Sequence, residues 1–189
     1  QEQAELILNE WNYIKGWLGD EWKYSLKTEK GLKGSSFVIC AMCTGQKLPV
    51  DMLMYYDARP CAMNGLFDTD TYECLKTYYS IAYFSKLLEL GEYVEDESTS
   101  KNIYACAATN GKESALLLTH YNDNDSTPAK ELEIEISGAP VGANAEIYVL
   151  DENNNMALLR TEYIGSASTS LKLEMPLFTS YFISFYEYS

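Results

Sequence analysis

The sequence predicts an α/β segment followed by an all-β segment, and two observations carry that reading. Residues 6–8 and 50–56 are short, nearly continuous apolar runs, each leading towards a helical pattern, as parallel strands buried on both faces do. Near residue 95 the apolar period changes from helical to two, and turn signals begin to recur. The 189 residues therefore divide into an expected first unit, 1–95, and a second, 96–189.

In chain order, Leu6, Ile7 and Leu8 form the first strand. A helix is expected from Lys33 to about Gly45, a second strand over 50–56 and a long helix over 71–90. Asp70 occupies the N-cap position of the long helix, and Glu73 follows at the spacing of a capping box. Leu75, Tyr79, Ala82, Tyr83 and Leu87 recur at helical spacing, and Gly91 is the expected stop. The acidic stretch 95–100 reads as a linker. After it, 102–109, 114–121, 130–137, 145–150, 171–175 and 181–188 read as strands. In E-L-E-I-E-I, Leu132, Ile134 and Ile136 share one face and three glutamates the other. Turn signals at Asn110-Gly111, 122–125, Ser137-Gly138 and 151–155 separate the strands, which indicates an antiparallel sandwich. The second unit has the material to fold alone. The first has two parallel strands with bare edges and reads as a piece of something larger.

Composition narrows the function. The chain is 47% hydrophobic and 13% aromatic, with sixteen tyrosines, which is ample for a core. A net charge of −14 repels phosphate backbones and anionic lipid, so neither nucleic acid nor a membrane surface is an expected partner. No apolar run is long enough to span a bilayer. The five cysteines have no disulfide-scaffold spacing, and they read as thiols in a cytoplasmic setting. The chain begins at Gln1 rather than Met, so an upstream portion is expected to have been removed.

The main chemical candidate is Glu10, set in L-I-L-N-E-W-N-Y at the end of the first apolar run. An arbitrary strand-end glutamate points into solvent. Here Trp11 and Tyr13 offer rings that stack a sugar, and Asn9 and Asn12 offer amides that bind hydroxyls. Side chains at the C-terminal ends of strands form the active site of a parallel α/β barrel. A carboxylate so placed suits attack on an anomeric carbon, with a second carboxyl about 5–5.5 Å away as general acid. Other candidates read as structural. Cys40 and Cys43 form a C-x-x-C with no second ligand pair and share a helix face with Phe37 and Thr44. His120, the one histidine, lies in an alternating strand. The acidic turns at 68–70 and 122–125 lack calcium-loop spacing and read as Asx turns or caps. No metal or cofactor is implied.

The order E-W-N, K-G-S-S-F, V-D-M-L-M-Y-Y-D-A-R-P, N-G-L-F-D and a Tyr-rich helix resembles the last two βα units of a clan-A glycoside hydrolase. The likeness is nearest to glycoside hydrolase family 39, the β-xylosidase and α-L-iduronidase group. It covers about residues 5–95, and a trailing sandwich agrees with it. The resemblance implies the end of a (β/α)8 barrel followed by a β-sandwich. It makes Glu10 the nucleophile of a retaining enzyme at barrel strand 7 and residues 50–56 strand 8. It places Tyr55, Tyr56, Asp57 and Arg59 at the same rim, with Asn64 and Phe67 on the loop beyond. Asp57 and Arg59 read equally as a structural pair.

The family's general acid/base, a glutamate after an asparagine at the end of strand 4, has no counterpart, since nine residues precede Glu10. The expected partners are thus a carbohydrate substrate and an N-terminal barrel portion of the same protein, with the chain alone inactive. Two rivals stand beside this: a non-catalytic carbohydrate-binding sandwich, and a truncated structural remnant that forms a homo-oligomer to cover its strand edges.

Overall fold

The computed structural model describes residues 4–61, 65–139 and 141–186. The chain divides into two compact units, Gln1–Ile81 and Ala82–Ser189. The division falls inside the long helix, upstream of the acidic stretch at 95–100 where the composition changes.

In the first unit, β1 (Ile7–Trp11) and β2 (Met52–Tyr55) pair in parallel, and α1 (Gly19–Lys30) and α2 (Leu32–Gly45) lie between them in sequence. The α2 helix is where the apolar pattern placed it. The α1 helix was not foreseen, because its buried residues are Ser25, Thr28 and Glu29 rather than an apolar stripe. Its legible signals are electrostatic: Asp20 and Glu21 in the first turn and Lys27 and Lys30 in the last complement the helix dipole.

The long helix, α3 (Lys76–Leu90), starts five residues later than expected, and Asp70 is not its N-cap. Asp68 takes that region first. Its Oδ1 accepts from the backbone N–H groups of Asp70 and Thr71, both at 2.9 Å, and Phe67 bridges to Cys74 beyond the turn. Tyr72 adopts φ 59° there, which no helix tolerates. Gly91, at φ +91°, ends the helix as expected.

The two parallel strands are not buried on both faces. Ile7, Leu8, Met52 and Met54 are each between 44% and 50% exposed. Parallel sheets are ordinarily covered by helices on their faces, and exposed apolar strands with open edges are association sites. The isolated chain is expected to self-associate at micromolar concentration, and an Ile7→Lys, Met54→Lys double variant to remain monomeric in sedimentation velocity. A wild-type chain that sediments as a monomer at high concentration would contradict this.

The second unit is an antiparallel sandwich. One sheet has six strands in the order β3-β4-β5-β10-β7-β8, and the other pairs β6 with β9. The strands are β3 (Glu92–Val94), β4 (Ile103–Thr109), β5 (Ser114–His120), β6 (Lys130–Ser137), β7 (Asn144–Leu150), β8 (Asn155–Tyr163), β9 (Ser168–Met175) and β10 (Ser180–Tyr186). Six were legible as alternation. Two were not, the three-residue β3 and the edge strand β8: in β8 Leu158 and Leu159 are both exposed, and register shifts in its pairing with β7 break the period. The core joins Ile147, Val149, Ile183 and Phe185 of the large sheet to Leu171, Leu173 and Met175 of β9. The inward row of β6 (Leu132, Ile134, Ile136) stays half-buried and lines a cavity of about 730 Å³ against Ala105, Ala107 and Leu116.

Candidate active site

The local register of the first unit decides where each candidate side chain stands. Leu8 pairs with Leu53 and Trp11 with Tyr55, so two residues of β1, Asn9 and Glu10, oppose the single Met54. This is a β-bulge. Bulges re-aim side chains and are frequent beside active sites. Partners in register share a face. Trp11 and Tyr55 touch edge-to-face, with ring centroids 5.4 Å apart, and Trp11 also meets Phe37 of α2 at 6.2 Å. That face therefore looks to the helices. Met54 alternates with Tyr55 and looks the other way, which places the bulged Asn9 and Glu10 on the exposed side. Glu10 lies within the strand, and its carboxylate makes no hydrogen bond to the described residues.

The bulge is anchored on its flank. The Tyr56 N–H donates to the Trp11 carbonyl at 2.9 Å, and Asn12 Nδ2 donates to the Tyr56 carbonyl at 2.9 Å. Asn12 thus spends its amide on joining the two strand ends. Tyr13 is buried, with its ring 5.4 Å from Phe37 and Lys33 Nζ 5.6 Å from its face. Trp11, Tyr13 and Tyr55 therefore belong to the support behind Glu10, and Asn9 is the predicted residue on its side.

At the end of β2, Asp57 and Arg59 pair with each other. Arg59 Nη2 lies 2.7 Å from Asp57 Oδ2, Nε donates to the same oxygen at 2.8 Å, and the Arg59 N–H donates to Oδ1 at 2.8 Å. Arg59 Nη2 also reaches the Tyr56 hydroxyl at 3.4 Å. The Asp57 contacts raise the Arg59 guanidinium above its ordinary value. Phe67, on the loop beyond, packs on Tyr78 of α3 at 5.4 Å. Asn64 lies outside the described residues.

A second aromatic feature was missed. Trp17, on the β1–α1 loop, is 62% exposed and stacks on Trp22 at 5.6 Å and 22°. The buried Ser25 hydroxyl fixes that loop, accepting from the Lys15 N–H at 2.9 Å and donating to the Glu21 carbonyl at 2.9 Å. No helical spacing announces the pair, since Trp17 lies before α1 and Trp22 follows it five positions later.

The remaining candidates are structural. All five cysteines are thiols, and Cys43 is buried in α2. His120 is fully buried and directs Nδ1 at the Met175 carbonyl at 2.9 Å, joining the two sheets. Asn122 and Asn124 spend their side-chain oxygens on Asx turns at 2.8 and 3.0 Å. Among the described residues no group of acidic, histidine or cysteine side chains could hold a metal ion, and no helix is long and apolar enough to cross a membrane. In the sandwich, Tyr181 and Phe185 face the core, and Phe182, on the opposite face of β10, is covered by the Tyr83 and Tyr148 rings, so the three rings are buried and offer no aromatic platform.

This fold, a mixed helix-and-strand unit and then an antiparallel sandwich, is similar to that of solved glycoside hydrolases, a family 39 enzyme among them. A glucosidase from Croceicoccus marinus matches with TM-score 0.77 at 16% identity, over 98% of this chain and 46% of that one. A family 39 enzyme from Xanthomonas axonopodis pv. citri matches with TM-score 0.72 at 11% identity, over 97% and 45%. A family 30 endoxylanase from Clostridium papyrosolvens C71 matches with TM-score 0.68 at 14% identity, over 96% and 42%. The chain thus spans less than half the length of these structures. No protein-family model and no curated protein matches it.

Proposed function

We propose that this chain is the C-terminal part of a retaining glycoside hydrolase, contributing the last two βα units of a (β/α)8 barrel and the sandwich that follows them in sequence. The observation that carries the reading is the β1 bulge, which turns Glu10 to the exposed face of the parallel sheet, opposite the face that meets α2. In a closed barrel that face is the interior, and its upper end is the active site. Glu10 attacks the anomeric carbon there and forms the glycosyl-enzyme ester, while the leaving-group oxygen takes a proton from a general acid. Water then hydrolyses the ester with the same residue acting as base. The acid/base belongs to barrel strands that precede this chain.

Asn9 stands beside Glu10 to bind a sugar hydroxyl, and Tyr56, Asp57 and Arg59 form the neighbouring rim. The Trp17–Trp22 stack offers a flat apolar face to a pyranose ring. Trp11, Asn12, Tyr13 and Tyr55 hold the bulge from behind. The xylanase and glucosidase among the similar structures support a xyloside or glucoside as substrate. The test joins this chain to the in-frame residues encoded upstream and assays aryl xylosides and glucosides, following the anomer by proton NMR. The expected first product keeps the substrate's anomeric configuration. An inverted product, or no hydrolysis by a soluble joined protein, would overturn the reading.

A further inference from the structure

Glu29 is the most deeply buried carboxylate of the first unit, and the mechanism above does not use it. It sits in the last turn of α1 at 1% exposure, and among the described residues neither carboxylate oxygen has a hydrogen-bond partner. Its backbone is a junction. The Thr77 hydroxyl of α3 donates to the Glu29 carbonyl at 2.8 Å. Gly34 of α2 and Gly65 of the β2–α3 loop both press on it so closely that a Cβ at either would collide with the Glu29 backbone. Gly65 in turn gives a backbone hydrogen bond to the Tyr55 hydroxyl, and Tyr55 is the ring that meets Trp11 behind the Glu10 bulge. The contacts run without a gap from Glu29 through Gly65 and Tyr55 to Trp11.

An unpartnered carboxylate at such a site is far costlier than the neutral acid. Burial pushes the Glu29 carboxyl up to about 8, with Lys30 drawing it partly back. The titratable groups acting on this assembly are few. Lys30 is on the same helix, Tyr55 is on β2, and Asp57 acts on Tyr55 from the loop end. The contacts from α2 and α3, Gly34 and Thr77, do not titrate.

We propose that Glu29 is a proton-linked positioning residue for the candidate active site: as the uncharged acid it lets Gly65 seat against the end of α1 and hold Tyr55 against Trp11, and on giving its proton to solvent base it loosens that support of the Glu10 bulge. The role rests on the glycosidase reading only for its consequence, since the loosening itself is read without any sugar. The direction follows from linkage. The folded-state value lies above the unfolded one, so the contribution is whole below about 4.5, falls as pH rises, and is gone above about 8.

The test uses the 189-residue chain carrying Trp17→Phe and Trp22→Phe, which leaves Trp11 as the single indole reporter. Its fluorescence is followed from pH 5 to 9.5, with and without Glu29→Gln. The expected result is one transition with a midpoint near 8, absent in Glu29→Gln, together with a melting temperature that falls from pH 5 to 8 in the parent only. A flat Trp11 signal in the parent, or the same transition in Glu29→Gln, overturns the proposal. Should Glu29→Gln not fold, carboxyl carbon-13 NMR of the glutamate-labelled parent decides. One glutamate titrating near 8 supports the proposal, and all titrating below 6 refutes it. Either outcome leaves the role of Glu10 to be judged by its own chemistry.

Discussion

Glu10→Gln, in a protein joined to its upstream barrel portion, is expected to lower kcat on aryl glycosides by at least about a thousandfold, which is roughly 4 kcal/mol of lost transition-state stabilisation. The amide keeps the size of the carboxylate but cannot form the glycosyl ester, so the two-step route closes. The protein should stay folded, because Glu10 is exposed and its carboxylate bonds to none of the described residues. A smaller side chain adds a chemical check. Glu10→Ala with azide should recover activity and yield a glycosyl azide of inverted configuration, since the anion attacks where the carboxylate stood. Asp57→Asn serves as the contrast. Its carboxylate already holds Arg59, so its loss should raise KM more than it lowers kcat.

Ile183→Ala is expected to destabilise the sandwich by about 2–5 kcal/mol, the usual cost of emptying a large, fully buried aliphatic site. Ile183 is wholly buried on β10, which pairs with both β5 and β7 at the centre of the large sheet. The cavity would open among Ile147, Val149 and Leu171, which a sheet centre cannot collapse to fill. Leu158→Ala, exposed on the edge strand β8, should change stability by no more than about 0.5 kcal/mol. Urea unfolding followed by far-UV circular dichroism separates the two. Equal effects would contradict the placement of the core.

Much of this fold could be read from the amino-acid pattern where one face of an element is apolar and the other is not. E-L-E-I-E-I became β6 with the expected residues inward, and α2 fell where its apolar run lay. Reading failed where burial does not follow hydrophobicity. The α1 helix buries serine, threonine and glutamate against glycine backbones, so no apolar stripe announces it. The capping motif at Asp70 was overridden by a stronger local competitor, the Asp68 turn.

At the site, the sequence singled out Glu10 but not the bulge that aims it, because a bulge is a property of the pairing with β2 and not of β1 alone. The same cause hid where the Trp11 and Tyr55 rings point. Both were expected at a sugar, and the register turns both rings to the helices. Trp17 was passed over because only the loop held by Ser25 shows that its face is open.

The measurement that tests the central claim most directly is covalent trapping of the nucleophile. The joined protein is incubated with a 2-deoxy-2-fluoro glycosyl fluoride, which forms the ester intermediate but hydrolyses it slowly, and is then digested with pepsin and mapped by mass spectrometry. The account predicts a single added fluoroglycosyl mass on the peptide containing Glu10, absent in Glu10→Gln. A fluoroglycosyl ester on any other carboxylate, or an active enzyme that takes no label, would contradict it.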